Sequence, residues 1–276
     1  MSISISSNVG SLQAQRSLHA NNKETQSALA KLSSGKRVNN AQDDAAALAI
    51  AVSLTAQQTS FDQAARNAGD ALDLSDTADV ALSSSTDILT RMRELAMEAG
   101  SGALDSAQRG DIQAETDSLQ AELDRVAHAT ELNGTPLLGG RSALTYQVGA
   151  GNVAGNDRLT ISTADATSAS LGLGGVSLAT QPAAASALDR IDGALQAVSS
   201  TRATLGTQAT RAASAARVAT QTSINLASAR SSLTDADVAT EASNLSSSLI
   251  LGNAAASVLV QANQHPKAAL RLLGAG

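Results

Sequence analysis

From Leu188 a three-four spacing runs without a slip through Leu188, Ile191, Leu195, Val198, Arg202, Leu205, Ala209, Ala212, Ala216, Ala219, Ser223, Leu226, Arg230 and Leu233. A sustained 3.5-residue period is the signature of a helix lying along another helix. Arg202, Ser223 and Arg230 interrupt an otherwise apolar seam, and the alanines at its middle let a neighbouring backbone come close. Over roughly 45 residues at 1.5 Å each, the stretch predicts a helix about 65–70 Å long.

A second long helix is predicted from about Asp44 to Ala99. One of its stripes is Phe61, Ala65, Ala68, Leu72, Ser75, Asp79, Leu82, Thr86 and Leu89; the other is Ala71, Leu74, Ala78, Ala81, Ser85, Ile88, Met92 and Leu95. Two neighbouring stripes mean two partners, which puts this helix at the centre of a bundle. Gly100, Ser101 and Gly102 break it. A shorter helix follows, with Ile112, Thr116, Leu119, Leu123, Val126 and Thr130 on one face, and it ends near the turn signal Asn133-Gly134-Thr135-Pro136. Between residues 138 and 185 glycines take over, and Leu144-Thr-Tyr-Gln-Val148 and Arg158-Leu-Thr-Ile-Ser162 read as strands of a small hairpin that caps one end of the bundle.

The ends are weaker. Val238, Ala242, Leu245, Leu249, Gly252, Ala256 and Leu259 keep the spacing before Pro266. At the other end Ile5, Val9 and Leu12 form one stripe, and Leu18, Asn22, Thr25, Leu29 and Leu32 form another offset from it. Off these stripes both ends are rich in Ser and Asn. Ordering a residue costs about 1–2 kcal/mol, and a fully buried Leu or Val returns only about 1.5–3 kcal/mol. The ends are therefore expected to be largely disordered alone and ordered on pairing within an assembly. Ile5, Val9, Leu12, Leu29, Leu32, Val238, Leu245, Leu249 and Leu259 form the candidate polymerisation seam.

Composition sharpens this picture. The 276 residues include one Phe, one Tyr and no Trp or Cys. Aromatic side chains normally dominate core energetics, so narrow helix-on-helix seams are expected in place of a thick core around a deep pocket. The fold class is accordingly mainly α: an elongated helical bundle or coiled coil with a small β-hairpin insert. A net charge of −6 without a basic run argues against a nucleic-acid partner. Neither a conventional signal peptide nor about 18 consecutive apolar residues is evident, so no membrane span is expected.

Catalytic chemistry finds no support. His19, His128 and His265 are far apart and lack metal-ligand spacing. Asp43-Asp44 and Asp235-Ala-Asp237 precede helices, where carboxylates cap N–H groups. Gly149-Ala-Gly151-Asn-Val-Ala-Gly155 lacks the Lys-Ser/Thr and helix of a phosphate loop, and no Gly-x-Ser-x-Gly elbow occurs. No enzyme, cofactor, catalytic residue or metal site is expected.

Several segments carry a resemblance. Leu32-Ser-Ser-Gly-Lys-Arg-Val-Asn-Asn-Ala-Gln-Asp-Asp-Ala-Ala-Ala-Leu-Ala-Ile50, Leu89-Thr-Arg-Met-Arg-Glu-Leu-Ala96 and Glu131-Leu-Asn-Gly-Thr-Pro-Leu137 resemble the N-terminal half of bacterial flagellins. Thr234-Asp-Ala-Asp-Val-Ala-Thr-Glu-Ala-Ser243 and Ser257-Val-Leu-Val-Gln-Ala-Asn-Gln-His-Pro266 are similar to the C-terminal half. Two departures are Ala47, where the family usually has Gly, and His265, where another polar residue is usual.

The resemblance implies an extracellular flagellar filament subunit for swimming motility, a homopolymer built through its terminal helices. The hook–filament junction protein is the alternative. It also implies paired terminal helices over 1–43 and 234–276, bundle helices over 44–137 and 186–233, and the hairpin insert over 138–185 in place of large outer domains. Implied partners are an export chaperone holding about 238–259, the export apparatus, junction and cap proteins, and a host flagellin-sensing Toll-like receptor. That receptor, or a neighbouring subunit, would meet Arg91, Leu95 and Glu115.

Overall fold

The computed structural model describes residues 7–274. In chain order it has α1 (Val9–Ser34), α2 (Ala45–Ala99), α3 (Ser106–Ala129), β1 (Glu131–Leu132), β2 (Thr135–Pro136), β3 (Ser142–Gln147), the single turn α4 (Ala154–Asp157), β4 (Arg158–Thr163), α5 (Gln181–Thr234) and α6 (Val238–Leu273). The expected mainly α bundle with paired terminal helices and a small strand insert is the architecture found. Packing divides the chain into one unit of residues 1–56 with 225–276 and another of residues 57–224. The division falls inside α2 and α5, whereas the sequence places its boundaries at 43/44 and 233/234, near helix ends.

In the unit of residues 57–224, α2 is central, as its two stripes require. Ala68, Leu82 and Leu89 from one stripe and Ala71, Leu74, Ala78, Met92 and Leu95 from the other are all buried. α5 runs antiparallel to α2, with Arg93 paired to Asp192, Arg202 to Asp79, and the Ser223 hydroxyl donating to Asp62. Its buried line is Ala184, Ile191, Val198, Leu205, Ala212 and Ala219, at strict seven-residue intervals, flanked by Ala187 and Ala194. The predicted partners Leu188 and Leu195 sit at the edge of the core instead. Small residues occupy the flank because the helices lie close together.

α3 folds back along α2. Asp105 and Gln108 form a reciprocal capping box at its start. Arg109, 8% exposed, donates to the carbonyls of Ala99 and Ser101 at 3.0 and 2.8 Å, satisfying acceptors at the C-terminus of α2. After α3 the chain turns through Asn133 and Gly134, both at positive φ, and pairs β1 with β2.

The hairpin β3–β4 is antiparallel, with Leu144 opposite Ile161 and Tyr146 opposite Leu159. It does not cap an end of the bundle. It lies against the sides of the helices, where Asn67 of α2 donates to the Gln147 carbonyl and Gln208 of α5 accepts from the Ser162 N–H. The reason is its alternation: Leu159, Ile161 and Thr163 are buried while Arg158, Thr160 and Ser162 face outward, so one whole face must lie on the helices.

The glycine-rich segment after β4 also does more than connect. Leu173, Val176 and Leu178 enter the core. Gln113 holds them in place, accepting from the Leu178 N–H at 2.6 Å and donating to the Val176 carbonyl at 3.3 Å. Asp124 likewise accepts from the Ser168 N–H and hydroxyl at 2.7 and 2.8 Å.

Two outcomes follow for this unit. Leu89→Ala should lower stability by about 2–5 kcal/mol, against less than about 0.5 kcal/mol for exposed Val80→Ala, read as shifts in the urea midpoint. The Arg202 guanidinium holds the Asp79 carboxyl below its ordinary value of 3.8, and Arg93 does the same for Asp192. A carboxylate depressed in the folded state stabilises fully above its unfolded value and loses that contribution as pH falls through the folded one. Thermal stability should therefore hold from neutrality to about pH 5 and fall below about pH 4, and Asp79→Asn should flatten that fall.

Candidate functional site at the paired termini

In the unit of residues 1–56 and 225–276, α1 and α6 pair antiparallel: Asn8 meets Ala262, Asn21 meets Ser248 and Lys31 meets Glu241. The turn out of α1 needs Gly35, which takes the left-handed conformation at φ 68°. Beyond it the chain ties to the end of α5. The Arg37 N–H donates to the Thr234 carbonyl at 2.7 Å, the Ala236 N–H donates to the Gly35 carbonyl at 3.0 Å, and the Arg37 guanidinium reaches the Leu233 carbonyl at 2.7 Å.

Two of the four acidic residues read as helix caps, Asp44 and Asp237, cap backbone N–H groups at a helix start. Asp44 accepts from the Ala47 N–H at the start of α2. Asp237 accepts from the Ala239 N–H and the Thr240 hydroxyl at the start of α6, which hold its carboxyl below the usual range, the Thr240 hydroxyl most of all. Asp235 takes the Ser231 and Thr234 hydroxyls at the end of α5, with the Ser231 bond contributing most to its lowered pKa. Asp43 instead gathers the N–H groups of Asn39 and Asn40 in the preceding loop, which lower its pKa in that order. All four are therefore bound into local structure.

The α1–α6 contact is made by small and polar residues: Ser11, Ala14, Asn21 and Ala28 are the buried positions of α1, and Ser248 is buried on α6. The candidate seam residues divide around this contact. Leu32, Leu245 and Leu259 are half-buried. Val9, Leu12, Leu29, Val238 and Leu249 are more than half exposed and face away from it. Ile5 lies outside the described residues. Asn21 escapes the periodic reading, which singles out Asn22; its burial becomes visible only once the helices are set side by side.

Most of the large apolar residues of α6 are uncovered. Ile250, Leu251, Val258 and Val260 join Leu249 as exposed residues. The most apolar 18-residue window within Val238–Gln264 has a mean hydropathy of 1.4, yet only 6% of it is buried. By length and composition alone this helix is long and apolar enough to cross a membrane, although the sequence shows no unbroken apolar run of that length there. Ser and Asn interrupt every such run without lowering the mean far.

The candidate contact residues on α2 and α3 also separate. Arg91 donates to Glu115 through Nε and Nη2 at 3.1 and 2.8 Å and to Glu94 through Nη1 at 3.0 Å, all at the surface. Leu95 does not join them. It is 2% exposed, because it lies three residues beyond Met92 on the buried stripe of α2. Among the described residues no group of three or more His, Asp or Glu side chains is placed to hold a metal.

Comparison with known proteins gives this arrangement a family. Residues 5–143 match the bacterial flagellin N-terminal helical region, and residues 188–273 match the bacterial flagellin C-terminal helical region. The chain is 35% identical to a flagellin of Halalkalibacterium halodurans over 98% of this chain and 99% of that one. It is 34% identical to a flagellar filament 30.7 kDa core protein of Treponema maltophilum over 98% and 99%. A solved structure described as a flagellar hook-associated protein from Vibrio parahaemolyticus shares the fold at a TM-score of 0.58 and 14% identity, covering 70% of this chain and 100% of that one. The two family regions and relatives aligned end to end show that this chain belongs to the bacterial flagellins, a family of structural filament subunits.

Proposed function

We propose that the chain polymerises through the outward apolar faces of α1 and α6, which neighbouring copies cover in the flagellar filament. One observation carries the reading: within Val238–Gln264 of α6 lies an 18-residue apolar window of which only 6% is buried within its own chain. An exposed patch of this kind marks an interaction surface. Each exposed Leu, Ile or Val would return up to about 1.5–3 kcal/mol on full burial, and the α1–α6 contact, made largely of small and polar residues, returns little by itself. Contacts between unlike faces of identical copies propagate without closing, as a filament requires.

Export follows from the same energetics. A subunit whose terminal helices gain most of their stability from neighbours can pass unfolded through an export channel and order outside the cell. Before export, the apolar face over about 238–259 suits the groove of a chaperone for amphipathic helices. Cap and junction proteins would meet the same terminal helices at the filament's ends. Arg91 and Glu115, bridged at the surface, remain the proposed contacts for a neighbouring subunit or a host Toll-like receptor, with Leu95 left to the core.

Electron microscopy after seeding tests the reading. The full chain should give long filaments, and a chain lacking residues before Ser34 and after Leu233 should give none. A full chain that stays monomeric with ordered ends would point to a junction protein, and one that partitions into lipid vesicles would overturn the proposal. Leu249→Ser should raise the critical concentration about tenfold, the equivalent of about 1.4 kcal/mol, while leaving the melting of the 57–224 unit unchanged.

A further inference from the structure

We propose that Asn21 and Asn8 set the register between α1 and α6, each reading a carbonyl that the sequence of α6 makes distinctive. Apolar matching sets it only weakly. The buried positions are Ser11, Ala14, Asn21, Ala28 and Ser248, with Leu18, Leu32, Leu245 and Leu259 only half-buried, so a slide of one turn forfeits little buried apolar area. Directional hydrogen bonds can set it, provided one carbonyl of the helix differs from the next.

Two carbonyls do differ. The Asn21 amide, 7% exposed, donates to the Ser248 carbonyl at 2.6 Å. Four residues beyond Ser248 stands Gly252, and a Cβ there would come within 3.0 Å of the Asn21 nitrogen. Asn8 donates its amide to the Ala262 carbonyl at 2.9 Å while its oxygen caps α1 by accepting from the Ser11 N–H at 3.0 Å. Four residues beyond Ala262 stands Pro266, which has no N–H to offer the helical bond that carbonyl would otherwise accept. α6 holds one glycine and one proline, and each stands four residues past a carbonyl that an asparagine of α1 takes. Buried Asn specifies register in coiled coils in this way, at a cost in stability.

The inference rests on the proposed assembly only for its consequence. A uniform filament needs every subunit to pair its ends identically, so a slipped pair would present its outward faces out of step. Asn21 and Asn8 are positioning residues, and the apolar faces make the contacts between copies.

The chain has no Cys, so paired cysteines can serve as a ruler. A Cβ at Gly10 would lie 3.8 Å from that of Ala262, a spacing suited to a disulfide. Gly10→Cys with Ala262→Cys reports the observed register, and Gly10→Cys with Leu259→Cys reports a slip of about one turn. Oxidised in seeded filaments, where the pair is ordered, the first pair should crosslink at least fivefold more than the second. Adding Asn21→Leu should bring the two near parity while helicity by circular dichroism holds or rises. Gly252→Ala should shift the ratio the same way despite its better helix propensity. A fivefold preference that survives Asn21→Leu would overturn the proposal, as would loss of helicity together with both crosslinks, which marks a merely structural residue. If the seeded chain makes no filaments, yet in solution keeps the preference and its loss in Asn21→Leu, the assembly reading fails and the register assignment stands.

Discussion

The constraint on which everything else depends is the size of the side chains available for packing. With one Phe and one Tyr in 276 residues, this chain must hold its helices together with Leu, Ile, Val, Met and Ala. Such residues adhere well in narrow seams, where Ala lets backbones approach and Leu fills what remains. In the 57–224 unit this suffices because α2 is covered on two sides, by α5 and by α3 with the hairpin. The glycine-rich segment adds Leu173, Val176 and Leu178, and each buried side chain serves more than one neighbour.

The terminal pair works under the same constraint without that cover. α1 and α6 have each other, and the face they share is built from serine, alanine and asparagine. Most of their branched apolar residues point elsewhere. For a protein acting alone this would be an aggregation hazard; for a filament subunit it is a division of labour. On the proposed assembly, polar, directional contacts define the pair within a chain, and non-directional apolar area is kept for neighbours. That proposal couples stability to assembly, with the ends gaining most of their order in the filament.

Much of this was legible in the residues. The seven-residue period of α5, the double stripe of α2, the hairpin strands and the Asn133-Gly134 turn are local patterns, and local patterns survive into the fold. Long-range packing was less legible. Leu188 and Leu195 look like the seam, but Ala187 and Ala194 lie nearer its centre, because only the partner's closeness decides which neighbour of Ile191 fits. Leu95 lies one turn beyond Arg91 on nearly the same face of α2, yet the roughly 40° between them is enough to carry it onto the buried stripe with Met92. The glycine-rich segment hid its apolar anchors, since Gln113 and Asp124 lie some fifty residues away from what they hold. The apolarity of α6 was masked by serines and asparagines that break every run while leaving the mean high.

In the proposed filament, neighbouring copies cover the outward faces of α1 and α6. Hydrogen exchange followed peptide by peptide, in soluble protein and in seeded filaments, tests it most directly. The amides of residues 9–34 and 238–264 should exchange quickly in the soluble chain and become strongly protected in the filament. Core amides of α2 near Leu89 and Met92 should change little. Terminal helices already protected in the soluble chain, or still exchanging fast inside filaments, would contradict it.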